Sequence, residues 1–163
     1  MKKIYLLSVL FVSLLTSFAP ADGHIKKAYA YYTITLPGIQ MSDENGNPVP
    51  QVFNITRFIY IEWSGAMIPV IESVWYNNIP LPATLIAANS NTVITGNKFE
   101  DNREIKITCN KRNSLWKIEL HPASGNRSIK EGCKNIVIKI KGKNKIYHFK
   151  LQKETQLMTL PRY

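Results

Sequence analysis

Apolar and polar residues alternate with a period of two through most of the chain beyond residue 28, the signature of half-buried strands. Tyr29 to Leu36 (YAYYTITL) is the first predicted strand, rich in aromatic and β-branched residues and stopped by Pro37-Gly38. Gln51 to Trp63 (QVFNITRFIYIEW) is the longest such run. Phe53, Ile55, Ile59, Ile61 and Trp63 share one parity, interrupted by Arg57, while Val52, Phe58 and Tyr60 occupy the other. A strand apolar on both faces is expected at the centre of a sheet that is covered on both sides.

Shorter strands are predicted at Val70 to Tyr76, Ala83 to Ala88 and Thr92 to Thr95. Arg103 to Cys109 follows, with Ile105, Ile107 and Cys109 inward, then Ser114 to Leu120, with Trp116, Ile118 and Leu120 inward and Lys117 and Glu119 in water. Met41 to Pro50 and His121 to Gly132 are polar, turn-rich loops. The last predicted pair is Lys134 to Lys153 (KNIVIKIKGKNKIYHFKLQK), two strands around a Gly142-Lys143-Asn144 turn, with the residues beyond Lys153 left as a tail. In that hairpin Ile136, Ile138 and Ile140 share a face with Tyr147, Phe149 and Leu151, and the opposite face carries lysine. No stretch shows the period of an amphipathic helix. About nine short strands separated by turns predict an all-β fold, a mainly antiparallel β-sandwich of immunoglobulin-like or related form with about seven to nine strands. Cys109 and Cys133, with Trp116 between them, are too close in sequence for the inter-sheet bridge of immunoglobulin domains.

The N-terminus changes the picture of where this domain works. Met1-Lys2-Lys3 is followed by an apolar run, Ile4 to Leu15, and by Ala19-Pro20-Ala21. That order is the layout of a signal peptide over residues 1–21, cut before Asp22 to leave a single domain at 22–163. The apolar run is short of the ~20 residues that span a bilayer, and no second long run follows. An exported location is expected: periplasm, cell surface or medium. In that setting Cys109 and Cys133 are expected to form a disulfide, closing a loop of about 25 residues worth about 3 kcal/mol.

Charge is divided unevenly. Residues 22–97 carry a net −2 and residues 98–163 a net +10. Such asymmetry suits a polyanion or an anionic membrane, and equally a lysine-rich surface that keeps an exported protein in solution.

Candidate chemistry is sparse. Phosphate-cradling glycine loops, H-E-x-x-H, G-x-S-x-G and EF-hand spacing are absent. His24, His121 and His148 have no chelating spacing, so neither a metal nor a cofactor is expected. A Cys–His pair using Cys109 or Cys133 with His148 needs a free thiol and proximity. Glu62, Glu72, Glu100, Asp101 and Glu104 are the carboxylates available for hydrolytic chemistry, and solvated strand or loop acids is their ordinary role. Trp63, Trp75 and Trp116 with Tyr29, Tyr31, Tyr32, Tyr60 and Tyr76 offer an aromatic platform, although strand aromatics usually fill a core; Tyr29 and Tyr31 are the pair expected to be least buried. The glycosylation triplets at Asn54 and Asn126 are read as chance matches.

The candidate binding surface is therefore the final hairpin, which holds seven lysines and no acid. Lys139, Lys141 and Lys150 share its outward side with His148, and Lys143 and Lys145 crown the turn. Lysines also protect an edge strand from aggregation, which needs no ligand. The leading expectation is a non-enzymatic binding or structural module contacting an anionic glycan, lipid headgroup or envelope protein. A small exported hydrolase and an assembly subunit pairing through a strand edge are the alternatives. Nucleic acid is disfavoured by export and by hairpin aromatics that face away from the lysines. The lysines' counter-charge must come from Glu104 or Glu119, from solvent ions or from a partner.

Overall fold

The structure is a computed structural model describing residues 23–35, 42–49, 54–121, 132–141 and 146–159. The expected signal peptide, the hairpin turn with Lys143 and Lys145, and the Asn126 triplet lie outside these residues. Eleven strands and no helix occur among the described residues: β1 (His24–Thr35), β2 (Asn54–Ser64), β3 (Val70–Tyr76), β4 (Ile79–Leu81), β5 (Ala83–Ala87), β6 (Thr92–Asn97), β7 (Glu104–Thr108), β8 (Ser114–Leu120), β9 (Ile136–Lys141), β10 (Ile146–Leu151) and β11 (Glu154–Leu157). They form a five-stranded sheet in the order β11-β1-β2-β8-β5, a four-stranded sheet β10-β9-β3-β4 and a two-stranded ribbon β6-β7. All pairings are antiparallel except β11 beside β1.

The long strand β2 does what its two apolar parities predicted. Ile59, Ile61 and Trp63 join Ala30, Ile118 and Leu120 on one face of the five-stranded sheet. That face shares a core with Val74, Tyr76, Ile136, Ile138 and Ile140 of the four-stranded sheet. The other parity, Tyr60 with Tyr31, Leu115 and Leu157, packs with Ile107 and Cys109 beneath the ribbon. There Tyr31, Phe58 and Tyr60 meet at ring-centroid distances of 5.8 to 6.5 Å, in tilted and edge-on contacts favoured by the ring quadrupoles.

Four expectations change. Tyr31 is only 4% exposed, because the ribbon covers a face that strand periodicity alone assigns to water; Tyr29 is the exposed one of the pair. Lys117 and Glu119 on that same face are half-buried and pair with each other at 2.6 Å, Lys117 also lying over the Phe58 ring. The first strand begins at His24, within the predicted polar lead. The predicted tail contains β11, whose short polar sequence has weak strand character and is ordered by what it touches.

Arg57, the interruption in β2, is what β11 touches. Its Nε donates to Glu154 Oε2 at 3.2 Å, and the two side chains are 8% and 0% exposed. Glu154 Oε1 accepts the backbone N–H of Cys133 at 3.1 Å. The guanidinium also lies over the rings of Tyr32, at 6.0 Å, and Tyr76, at 5.6 Å. A buried charge is tolerated only when paired and hydrogen-bonded, so β2, β11, the approach to β9 and the end of β3 are tied to one ion pair.

Removing one partner leaves the other charge uncompensated. Glu154→Ala and Arg57→Ala are each expected to lower unfolding free energy by about 3–5 kcal/mol, measured by urea denaturation. The double variant Arg57→Met/Glu154→Leu should lose much less than the sum. A loss below about 1 kcal/mol in the single variants would contradict this role for the pair.

Candidate functional site

The lysines of the final hairpin acquire their neighbours from β3. On the face of the four-stranded sheet turned away from the core, register pairs Val70 with Lys141 and Lys141 with Ile146. The next rung is Ser73, Lys139 and His148, and the third is Trp75, Val137 and Lys150. Directly opposed side chains in antiparallel strands stand about 5 Å apart, so these nine residues form one continuous surface. Cations and apolar groups interleave on it. Lys139 Nζ sits 4.9 Å from the centroid of the Trp75 ring, and Trp75 Nε1 donates to Ser73 Oγ at 2.8 Å. A lysine over an indole face gains cation–π attraction without losing its access to an anion.

This arrangement corrects two expectations. The outward face of the hairpin is mixed, since Val137 and Ile146 lie on it with the lysines. An aromatic does interleave with the cations, contributed by β3. Trp75 and Val70 were not recognisable as companions because they have opposite parity in VIESVWY. A register shift between Ile71 and Ser73 restores both to one face, with Glu72 at the irregularity. Only the β3–β9 pairing discloses it.

Of the predicted residues, Lys139, Lys141, His148 and Lys150 are brought together, and Lys143 and Lys145 lie outside the described residues. Among the described residues no carboxylate forms an ion pair with Lys139, Lys141 or Lys150. Glu119 is taken by Lys117 in the five-stranded sheet, and Glu104 lies in the ribbon, so neither supplies the expected counter-charge. Glu72 is the one acid on the strands that build this face.

At the Lys141 end of the face, a cavity of about 190 Å³ opens between the two larger sheets. His24, Ile25 and Trp63 line one side, and Ile140, Tyr147, His148 and Phe149 the other. Its volume is below the roughly 300–1,000 Å³ typical of sites that enclose a drug-sized ligand. Trp63 anchors this corner. Its Nε1 donates to the Met67 carbonyl at 2.8 Å, and a Cβ on Gly23 would run into its indole ring. A Cβ on Gly65 would come within 2.6 Å of the Gly23 Cα, so both positions require glycine for close backbone approach.

The candidate catalytic residues lie apart from one another among the described residues. Cys109 and Cys133 are free, so the expected bridge is not formed. Cys109 belongs to the core beneath the ribbon and Cys133 to the core between the larger sheets, with the five-stranded sheet between them. Packed sheets are about 10 Å apart, beyond the roughly 7 Å limit for bridged Cα atoms. Each thiol faces a backbone carbonyl, Asn113 for Cys109 and Asn135 for Cys133, and burial pushes both thiols up from their ordinary pKa. His121 bonds Thr84 Oγ1, and no histidine bonds either thiol among the described residues. Glu62 is buried, accepting Asn113 Nδ2 at 2.5 Å and the Asn110 N–H at 3.1 Å, with Lys27 3.9 Å away. Burial raises its pKa, but these bonds with the charges of Lys27 and Lys26 outweigh it, and the carboxyl is held below its ordinary value. Glu100 and Asp101 pair with Lys98 and Arg103 near the ribbon. None of the candidate carboxylates lines the cavity. Among the described residues no group of three or more His, Cys, Asp or Glu is placed to hold a metal ion, and no helix is long and apolar enough to cross a membrane.

Comparison of the chain with protein-family models, with curated proteins and with solved structures finds no match.

Two outcomes follow from the buried groups. Glu62 has a folded pKa below its unfolded one, so its contribution to stability is complete above the ordinary value of 4.5 and is lost as pH falls through the folded value. Glu62→Gln should therefore be less stable at neutral pH and show a shallower loss below pH 4.5, read from thermal midpoints; parallel profiles would refute this. Unreduced protein should alkylate at both cysteines after unfolding and slowly before it, by intact mass. A mass short by two hydrogens, with no alkylation, would show a bridge.

Proposed function

We propose that this protein is an exported β-sandwich of residues 22–163, released from a signal peptide at residues 1–21, that acts as a non-enzymatic binding module for an anionic envelope component. The observation that carries this reading is the outer face of the four-stranded sheet, where Lys139, Lys141 and Lys150 stand without carboxylate partners among the described residues. Placing these cations on one sheet face raises the local potential for an anion. The shared core of the two larger sheets supports the sandwich assignment, with the ribbon as an addition on the far side. The hydrolase alternative has no observation in its favour. Pairing through a strand edge has one: among the described residues, β9 is the sheet neighbour of β10 and no strand pairs with its other edge.

The processed protein is expected to begin at Asp22 by N-terminal mass. It should be retained on dextran sulfate at low ionic strength and released as salt rises, because exposed charges are screened beyond about 10 Å at 0.1 M salt. The triple variant Lys139→Glu/Lys141→Glu/Lys150→Glu should pass unretained while still unfolding cooperatively, its thermal midpoint lowered only slightly by loss of the Lys139–Trp75 contact. Equal retention of the variant would refute the assigned face. A partner captured by both proteins alike would instead support backbone pairing at the β10 edge, which those side chains do not mediate.

A further inference from the structure

We infer that the anionic partner is a phospholipid bilayer surface, met by the end of the four-stranded sheet where Met67, Ile68, Val70 and Ile146 stand beside Lys141 and Lys139. The inference rests on reading the outer face as an anion-contacting surface. Met67 and Ile68 are 63% and 68% exposed, and Val70 and Ile146 are 54% and 47% exposed. They are neighbours: Met67 and Ile68 lie in the short connection running into Val70, and Val70, Lys141 and Ile146 form one rung. Single exposed apolar residues are ordinary, whereas a contiguous group rimmed by charge marks an interaction surface.

The connection is held in place. The Met67 carbonyl accepts the Trp63 indole N–H, Pro69 is buried, and the close approach of Gly23 and Gly65 fixes the turn out of β2. Met67 and Ile68 therefore project from an anchored support, which lowers the ordering cost of any contact they make.

The chemistry distinguishes a bilayer from other anions. A soluble polyanion satisfies the lysines but leaves four apolar side chains in water. A protein partner fits poorly, because interface cores are depleted in lysine, and lysine is the fixed cation throughout this face. A bilayer takes both groups at different depths. Apolar side chains enter the boundary of the acyl region, while lysine stems lie along apolar surface and keep their ammonium groups at the phosphates. Clustered lysines next to apolar anchors favour anionic leaflets over zwitterionic ones.

The test is co-sedimentation of the processed protein, its N-terminus checked so that no leader contributes, with vesicles of phosphatidylcholine alone or mixed with phosphatidylglycerol. Binding is expected to the mixed vesicles only. Lys139→Glu/Lys141→Glu/Lys150→Glu should weaken it by on the order of a hundredfold. Met67→Ser/Ile68→Ser should weaken vesicle binding by about tenfold while leaving retention on dextran sulfate unchanged. Both variants change exposed or half-buried outward side chains, and their thermal midpoints check the fold. If Met67→Ser/Ile68→Ser binds vesicles as wild type does, or if dextran sulfate is bound and mixed vesicles are not, the bilayer inference fails and the anionic-partner reading stands. Failure to bind either probe overturns both.

Discussion

The contact between Arg57 and Glu154 joins the middle of the chain to its end, and most of the architecture is arranged around it. A guanidinium in a strand otherwise built of isoleucine and aromatic residues is costly to desolvate, and the carboxylate that offsets this comes from 97 residues later in the chain. The second carboxylate oxygen takes the Cys133 amide, and the rings of Tyr32 and Tyr76 flank the cation. One charge pair thus sets β11 beside β1 and positions the entry to β9. It lies on the face of the five-stranded sheet that looks toward the four-stranded one.

With that sheet occupied on both faces, the consequences for surface chemistry follow. The ribbon takes the face of Tyr31 and Tyr60, so their aromatic area serves packing and is withdrawn from any ligand. The same layering separates Cys109 from Cys133. The four-stranded sheet uses only one face for the shared core, and no described strand covers the other. Lysine, valine and tryptophan collect on that unused face, and the exposed Met67 and Ile68 stand at one end of it. Nothing in the core constrains their identity, which is why interaction chemistry has room there.

The strands of this protein were largely legible in its sequence, because alternation depends only on neighbours along the chain. β2 announced its central place by being apolar on both parities, and the inward Ile136, Ile138 and Ile140 of β9 were read directly. Which strand lies beside or above another is not written in that alternation. The alternation in YAYYTITL points Tyr31 toward water, and nothing in it records the ribbon above. The four residues of β11 carry little strand character of their own, and Glu154 meeting Arg57 ties them to the core. The lysine face is legible in its own hairpin, but an irregularity in β3 that breaks the period of two hides its Trp75 and Val70.

The all-β character of the chain, the apolar and basic sides of its final hairpin and the lack of any catalytic spacing motif can be read from residue order. These are local properties, carried by side-chain alternation and by residue type. The order of strands in each sheet, the burial of Tyr31 and the separation of the two thiols emerge only when the sheets pack. So does the company that Lys139, Lys141 and Lys150 keep. Those properties depend on contacts between segments distant in sequence, where register and layer order are set by how whole faces pack and where a single residue of slippage exchanges inside for outside.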